Sequence, residues 1–177
     1  MSVLKILIFP DPRLRTAAKP VREIDDEIKK LTKDMVETMY EGNGIGLSAT
    51  QVNIHKRIIV VDTSNEKDSP LVLINPKIEV LNPEKKSVHE EGCLSVPGFY
   101  EEVERPTRIK AIALNAEGKK IVTEANGLLS ATIQHEMDHL EGRIFVDYLS
   151  NLKRQVIRKK LLKSCLLYTS PSPRDRG

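Results

Sequence analysis

Tryptophan is absent and aromatic residues make up only 4% of the chain, too few for the stacked platforms on which single-stranded nucleic acids are bound. Cysteine is nearly absent as well. Cys93 and Cys165 are the only two, which excludes a disulfide framework and fits a reducing, cytoplasmic setting. No apolar run approaches the roughly 18 residues a membrane span requires, and Met1–Pro10 is stopped by Asp11 too soon for a signal peptide. What is present is ordinary for a folded domain: 177 residues, 40% apolar and 30% charged. A chain of this length buries about two-thirds of its unfolded surface and needs neither disulfide nor metal merely to fold. One soluble, intracellular domain is expected, monomeric by default.

The net charge of +3 is unevenly spread. Residues 151–177 hold eight basic side chains (Lys153, Arg154, Arg158, Lys159, Lys160, Lys163, Arg174 and Arg176) against Asp175 alone, a balance of +7. The first 150 residues carry 20 basic and 24 acidic side chains, a balance of −4. Any contact with a polyanion therefore falls to the C-terminal arm.

Along the chain, Val3–Phe9 is an extended apolar run ended by Pro10-Asp11-Pro12. Ile28, Leu31, Met35 and Met39 recur at spacings of three and four and predict a helix over about Asp25–Tyr40, closed by Glu41-Gly42-Asn43-Gly44. Strands are expected at Arg57–Asp62, Leu71–Asn75, Ile78–Leu81, Val103–Glu104 and Ile109–Leu114, with a turn at Ala116-Glu117-Gly118 leading into Lys119–Thr123. Leu128, Leu129, Ile133, Met137 and Leu140 give Gly127–Glu141 an apolar side, stopped at Gly142. From about Asn151 a last, amphipathic helix is expected to dock through Leu152, Val156, Ile157 and Leu161. Strands in the middle with helices early and late indicate an α+β domain. From Ser164 the composition shifts to Ser, Pro and Arg, so residues 164–177 read as an atypical tail, either a cloning or sequencing scar or a divergent terminus, after a domain of residues 1–163.

The most informative stretch is Gln134-His135-Glu136-Met137-Asp138-His139. Residues i and i+4 share a helix face, so His135 and His139 can present ring nitrogens to one ion while Glu136 projects beside them. The plainer reading is a polar helix face that happens to carry two histidines. A catalytic centre of this type normally takes three protein ligands and leaves a position for water. Glu141 lies too close on the same helix to wrap around the ion, and Asp147 is a weak alternative. Cys93, in Glu90-Glu91-Gly92-Cys93-Leu94-Ser95, is the better candidate because a thiolate suits a soft divalent metal. Taken alone, Cys93 would read as a buried structural thiol. His55 reads as a surface residue and His89 as a strand-edge residue.

These residues resemble the bacterial-type peptide deformylase family. Gly44-Ile45-Gly46-Leu47-Ser48-Ala49-Thr50-Gln51, Glu91-Gly92-Cys93-Leu94-Ser95 and Gln134-His135-Glu136-Met137-Asp138-His139-Leu140 match its three motifs in order. The likeness begins with Pro10-Asp11-Pro12-Arg13-Leu14-Arg15 and extends to about Lys163. Ser48 stands where the family usually has Ala. The resemblance implies mixed or antiparallel strands packed around the central His-Glu-x-x-His helix. It further implies that Cys93, His135 and His139 ligate Fe²⁺, with Zn²⁺, Ni²⁺ or Co²⁺ able to substitute. Glu136 would be the general base and acid, Gln51 and the Leu94 N–H would bind the oxyanion, and Glu91 with Arg105 would form an ion pair behind the metal loop. The substrate would be the N-formyl group on the initiator methionine of new polypeptides.

Deformylation suits these residue types. Metal coordination brings the pKa of water from 15.7 to about 7, and a carboxylate in reach can take the proton and pass it to the leaving nitrogen. Two neutral donors can stabilise the oxyanion, each worth roughly 3–4 kcal/mol. Gly44 and Gly46 allow a substrate backbone to approach. Ile45, Leu94, Leu128, Ala131 and Thr132 are candidates for a methionine pocket, since 128, 131, 132 and 135 share a helical face. The helical pattern alone assigns Leu128 to the core, and Gln51 alone would read as a surface amide. The basic last helix is either a solvated face or an attachment to ribosomal RNA. Two rivals remain: a small zinc endopeptidase with a downstream third ligand, and a non-catalytic metal-binding, ribosome-associated module.

Overall fold

The computed structural model describes residues 2–169. Its first long element is helix α1, Asp26–Glu41. The Asp25 carboxylate accepts the Ile28 N–H at 2.9 Å and so satisfies one of the donors exposed at the helix start. Ile28, Met35 and Met39 form the buried stripe that the spacing predicts.

Five strands follow: β1 (Gly46–Ser48), β2 (Ile58–Val61), β3 (Leu71–Cys93), β4 (Val96–Leu114) and β5 (Lys120–Asn126). They form one sheet in chain order, with every neighbouring pair antiparallel. Helix α2, Gly127–Leu140, follows β5 directly. All four residues of β2 are buried because the two faces of the sheet are covered by different helices. Ile58 and Val60 pack with Met35 and Met39 of α1. Ile59 and Val61 point the other way, toward Ile133 and Leu140 of α2. An α+β fold with α2 against the sheet is therefore observed.

Two expectations about strands are corrected. Leu71–Asn75 and Ile78–Leu81 belong to one strand, and so do Val103–Glu104 and Ile109–Leu114. Asn75-Pro76 and Asn82-Pro83 read as breaks, but the chain absorbs them as irregularities: the register slips between Ile74 and Lys77 and again between Leu81 and Lys86. Asn75 and Asn82 adopt φ values of 52° and 51° there, a conformation asparagine tolerates better than most residues. Asn75 is also pinned to Val21 by a pair of 2.8 Å hydrogen bonds.

A third cluster joins the chain ends. Leu7, Phe9 and Leu14 pack with Val96 and Val103 of β4, with Ile144, Phe145 and Val146, and with Ile157 and Leu161. The last two belong to helix α3, Asn151–Thr169. Val3–Phe9 is extended but joins no strand. Instead, the Leu7 N–H donates to the Gln51 carbonyl at 2.7 Å and the Phe9 N–H to the Ser95 carbonyl at 2.8 Å. The expected docking stripe of α3 is half right. Ile157 and Leu161 are buried, whereas Leu152 and Val156 face outward, 75% and 43% exposed. A helix resting on a surface buries a single narrow seam, and these two lie off it. The helix also runs past Ser164 to Thr169, because no proline intervenes before Pro171. The rest of the expected tail, 170–177, lies outside the described residues. No helix among the described residues is long and apolar enough to cross a membrane.

Candidate metal centre and active site

Helix α2 carries His135 and His139 one turn apart, with ring centroids 5.1 Å from each other. Both are buried. Strand β3 delivers Cys93 at its last position, where the two-residue turn Leu94-Ser95 leads into β4 and Cys93 pairs with Val96. One ligand atom from each of Cys93, His135 and His139 lies within 4.8 Å of the other two, and Cys93 Sγ is 3.3 Å from His139 Nε2. Among the described residues this is the one cluster of three or more such donors compact enough to hold a metal ion. The other two candidates for a third ligand are engaged elsewhere. Glu141 pairs with Arg57 at 2.7 Å and Asp147 with Arg15 at 2.6 Å.

Behind the donors is a buried polar network. Glu91 Oε1 lies 2.9 Å from His135 Nδ1, so the carboxylate can hold that proton on Nδ1 and leave Nε2 as a lone-pair donor. Arg105 grips the same carboxylate through Nε and, at 2.8 Å, through Nη2. Its remaining nitrogen, Nη1, donates to Asp138 at 2.9 Å. Tyr148 donates to the same Asp138 oxygen at 2.8 Å, and the guanidinium sits 5.1 Å over the Tyr148 ring. Burial alone would raise the pKa of Glu91, but its bonds to Arg105 and His135 hold it below the usual carboxylate range.

Glu136 has the opposite balance. It is 3% exposed, its Oε1 has no hydrogen-bond partner, and burial pushes its pKa up to about 7. A carboxyl poised there can exchange a proton near neutral pH. Its other oxygen rests against the backbone of Gly46, where a Cβ would lie 2.6 Å from Glu136 Oε2. Glycine is needed at 46 for the carboxylate to occupy this place. At Gly44 a Cβ would lie 2.8 Å from Leu94 Cδ1, the end of a flexible side chain that would have to shift to admit it.

The donor set fits a divalent transition-metal ion. Burial lowers the pKa of His139 well below its ordinary value, which keeps that ring neutral and able to ligate. His135 shows the opposite response. Burial works against its charge, yet Glu136, Cys93 and Glu91 together raise its pKa well above the ordinary value. That excess of negative groups around one imidazole is what a bound cation would balance.

Gln51 is buried, not a surface amide: it is 1% exposed. Its Nε2 donates to Cys93 Sγ at 3.3 Å and to Ser95 Oγ at 3.0 Å. A cavity of about 550 Å³ opens onto the centre. Gly44, Ile45 and Gly46 form one side, and Leu128, Ala131 and Thr132 of α2 another. Cys93, Leu94, His135 and Glu136 also line it, while Gln51, His139 and Arg105 do not. The core reading of Leu128 is overturned: it is 49% exposed on the cavity wall. His89 lines the cavity with its ring 2.9 Å from Ser87 Oγ and stands outside the donor cluster, and His55 is half-buried beside Asn53.

Sequence reasoning missed Asp138 and Tyr148, which complete the Arg105 network, and Ser95, which anchors Gln51. It also missed Tyr100, whose ring covers Gly92 so closely that a Cβ there would collide with it. Asp138 lies inside the recognised helix motif and could have been found by asking what else Arg105 holds. Ser95 likewise lies inside the recognised Glu91–Ser95 motif, two residues from Cys93, whereas Tyr148 and Tyr100 carry no local signal.

Comparison with known proteins gives one consistent result. The polypeptide deformylase family model matches residues 3–155. The peptide deformylase of Teredinibacter turnerae is 59% identical over 163 residues, covering 92% of this chain and 96% of that one. That of Pseudomonas aeruginosa is 58% identical with the same coverage. Among solved structures, the Ehrlichia chaffeensis peptide deformylase in complex with actinonin superposes with a TM-score of 0.88 at 41% identity, covering 93% of this chain and 98% of that one. A peptide deformylase from Legionella pneumophila gives 0.88 at 41% identity, covering 97% and 100%.

Proposed function

The chain belongs to the polypeptide deformylase family, and from that premise we propose that Cys93, His135 and His139 hold its metal, with Glu136 as general base and acid. The protein is a metal-dependent hydrolase that removes the N-formyl group from newly made polypeptides. The observation that carries the residue assignment is the compact cluster of one sulfur and two imidazole nitrogens, with the buried, unpartnered Glu136 oxygen beside it. The mixed sulfur and nitrogen donors suit Fe²⁺, and Zn²⁺, Ni²⁺ or Co²⁺ could take its place.

When bound, such an ion supplies Lewis acidity that brings water within reach of deprotonation near neutral pH. Glu136 takes the proton from water and delivers it to the leaving methionine nitrogen, a role that its pKa of about 7 supports. Gln51 Nε2 and the Leu94 N–H donate to the oxygen that gains charge as the formyl carbon becomes tetrahedral. Glu91 and Arg105 keep His135 in the tautomer that ligates. Gly44, Ile45 and Gly46 line the path of the peptide backbone, and Ile45, Leu94, Leu128, Ala131 and Thr132 receive the methionine side chain. Exposure of Ile45 and Leu128 on the cavity wall supports that use.

The catalytic unit is assigned to residues 1–163, working as a cytoplasmic monomer. Helix α3 is offered as a ribosome contact, supported by the exposure of Arg158, Lys159, Lys160 and Lys163. Ribosome pelleting should be salt-sensitive and lost on charge reversal at these positions; pelleting unchanged by the reversal would reject the contact. The endopeptidase alternative needs a downstream ligand, and Glu141 and Asp147 are already committed to Arg57 and Arg15. Hydrolysis of formyl-Met-Ala-Ser by wild type and Glu136→Ala, with metal analysis of both, tests the assignment. The variant should retain metal and lose turnover. Turnover kept in the variant would remove Glu136 from its role.

A further inference from the structure

Gln51 can serve an anion only if its amide points the right way. The two orientations of a carboxamide have nearly the same shape, but one presents N–H donors and the other presents an oxygen that would repel both a thiolate and a developing oxyanion. Two serines bracket this amide. Gln51 Oε1 accepts from the Ser48 N–H at 2.9 Å, and Ser48 Oγ lies 3.3 Å from the same oxygen. At the other end, Nε2 donates to Ser95 Oγ at 3.0 Å and to Cys93 Sγ at 3.3 Å. Ser48 and Ser95 are fully buried and Gln51 is 1% exposed, so no solvent stands ready to replace a lost partner.

Extending the assignment of Gln51 as an oxyanion donor, on which this step rests, we propose that Ser48 and Ser95 are positioning residues that clamp the Gln51 amide with its donors facing Cys93. In the reversed orientation the amide NH₂ would face the Ser48 N–H, donor against donor, and the oxygen would face the sulfur. The Ser95 hydroxyl takes one of the two Nε2 hydrogens and fixes the plane of the amide. The second hydrogen then points to the Cys93 side of the site, where an oxyanion can share it. Ser48 adds a hydroxyl donor at the oxygen end. The backbone braces the same pair: the Leu7 N–H holds the Gln51 carbonyl at 2.7 Å and the Phe9 N–H holds the Ser95 carbonyl at 2.8 Å. One extended N-terminal segment thus sets the spacing across which the clamp works.

The test is a kinetic double-mutant cycle on the metal-loaded enzyme with formyl-Met-Ala-Ser, using Ser48→Ala, Ser95→Ala, Gln51→Ala and the two doubles with Gln51→Ala. Metal content and thermal midpoint are measured for each. Gln51→Ala should lower kcat by about a hundredfold or more with little change in KM. Ser95→Ala should lower kcat by about five- to tenfold and Ser48→Ala by about two- to threefold, the loss expected from one neutral hydrogen bond or part of one. Both serine effects should vanish in the Gln51→Ala background, where no amide is left to orient. Serine effects of equal size in both backgrounds, or confined to KM, would mark a merely structural role and overturn the clamp, as would single variants with unchanged kcat. A Gln51→Ala enzyme with intact kcat would instead remove the oxyanion assignment, and the clamp with it. Ser48→Ala deletes a single oxygen, so it keeps the test decisive should Ser95→Ala fail to fold.

Discussion

Replacing Arg105 with leucine removes the cation that pairs with one buried carboxylate, Glu91, and with the partly buried Asp138. Arg105 is 4% exposed and Glu91 7%. The substitution deletes both Arg105 bonds to Glu91 and the 2.9 Å bond to Asp138. Breaking a buried pair from one side costs about 3–5 kcal/mol, because the remaining charge is stranded away from water. The cost should depend on pH. In the wild type Glu91 titrates below its ordinary value, so its stabilising contribution is present above the unfolded-state pKa and fades as pH falls through the folded one. Without Arg105, burial raises the Glu91 carboxyl instead, and protonation in acid relieves part of the penalty. Urea unfolding of metal-stripped wild type and Arg105→Leu should therefore show a large gap at about pH 7 that narrows at about pH 5. Metal affinity of the folded variant should fall by about ten- to a hundredfold, since Arg105 no longer anchors the Glu91 carboxylate that holds His135. A gap below about 1 kcal/mol at neutral pH, or one that does not change with pH, would refute this reasoning.

Other substitutions probe the cavity. Gly46→Ala should displace the Glu136 carboxylate, because a Cβ at 46 would lie 2.6 Å from its Oε2. The loss is expected in kcat, about a hundredfold, with metal content unchanged; steady-state kinetics with metal analysis checks it. Leu128→Ala should raise KM for formyl-methionyl peptides by about five- to thirtyfold through lost apolar contact. Its effect on stability should stay within about 0.5 kcal/mol because the side chain is half exposed. Iron-loaded enzyme should lose activity in air and be protected by catalase, since a thiolate ligand beside a redox-active ion invites oxidation; time courses with and without catalase measure this, and indifference to air counts against iron.

Periodicity revealed both long helices of the body, because each buries a continuous stripe: Ile28, Met35 and Met39 in α1, Ile133 and Leu140 in α2. It failed where tertiary context overrode a local signal. Asn75-Pro76 and Asn82-Pro83 carry the marks of strand breaks, but long-range pairing between β3 and β4 continues past them. Leu128 has the spacing of a core residue, yet it stands half exposed on the cavity wall. The cluster of Cys93, His135 and His139 was legible because a site able to hold a metal needs a rare combination, here a thiol with two histidines one turn apart. Ser95 and Tyr148 were not, since they matter only through the partners the fold brings to them.

The central claim is that one sulfur and two imidazoles bind a single ion. X-ray absorption on zinc-loaded protein addresses it directly. One sulfur at about 2.3 Å and two nitrogens at about 2.0–2.1 Å are predicted, with the sulfur contribution lost in Cys93→Ala. A coordination shell of oxygen and nitrogen alone in the wild type would contradict the assignment.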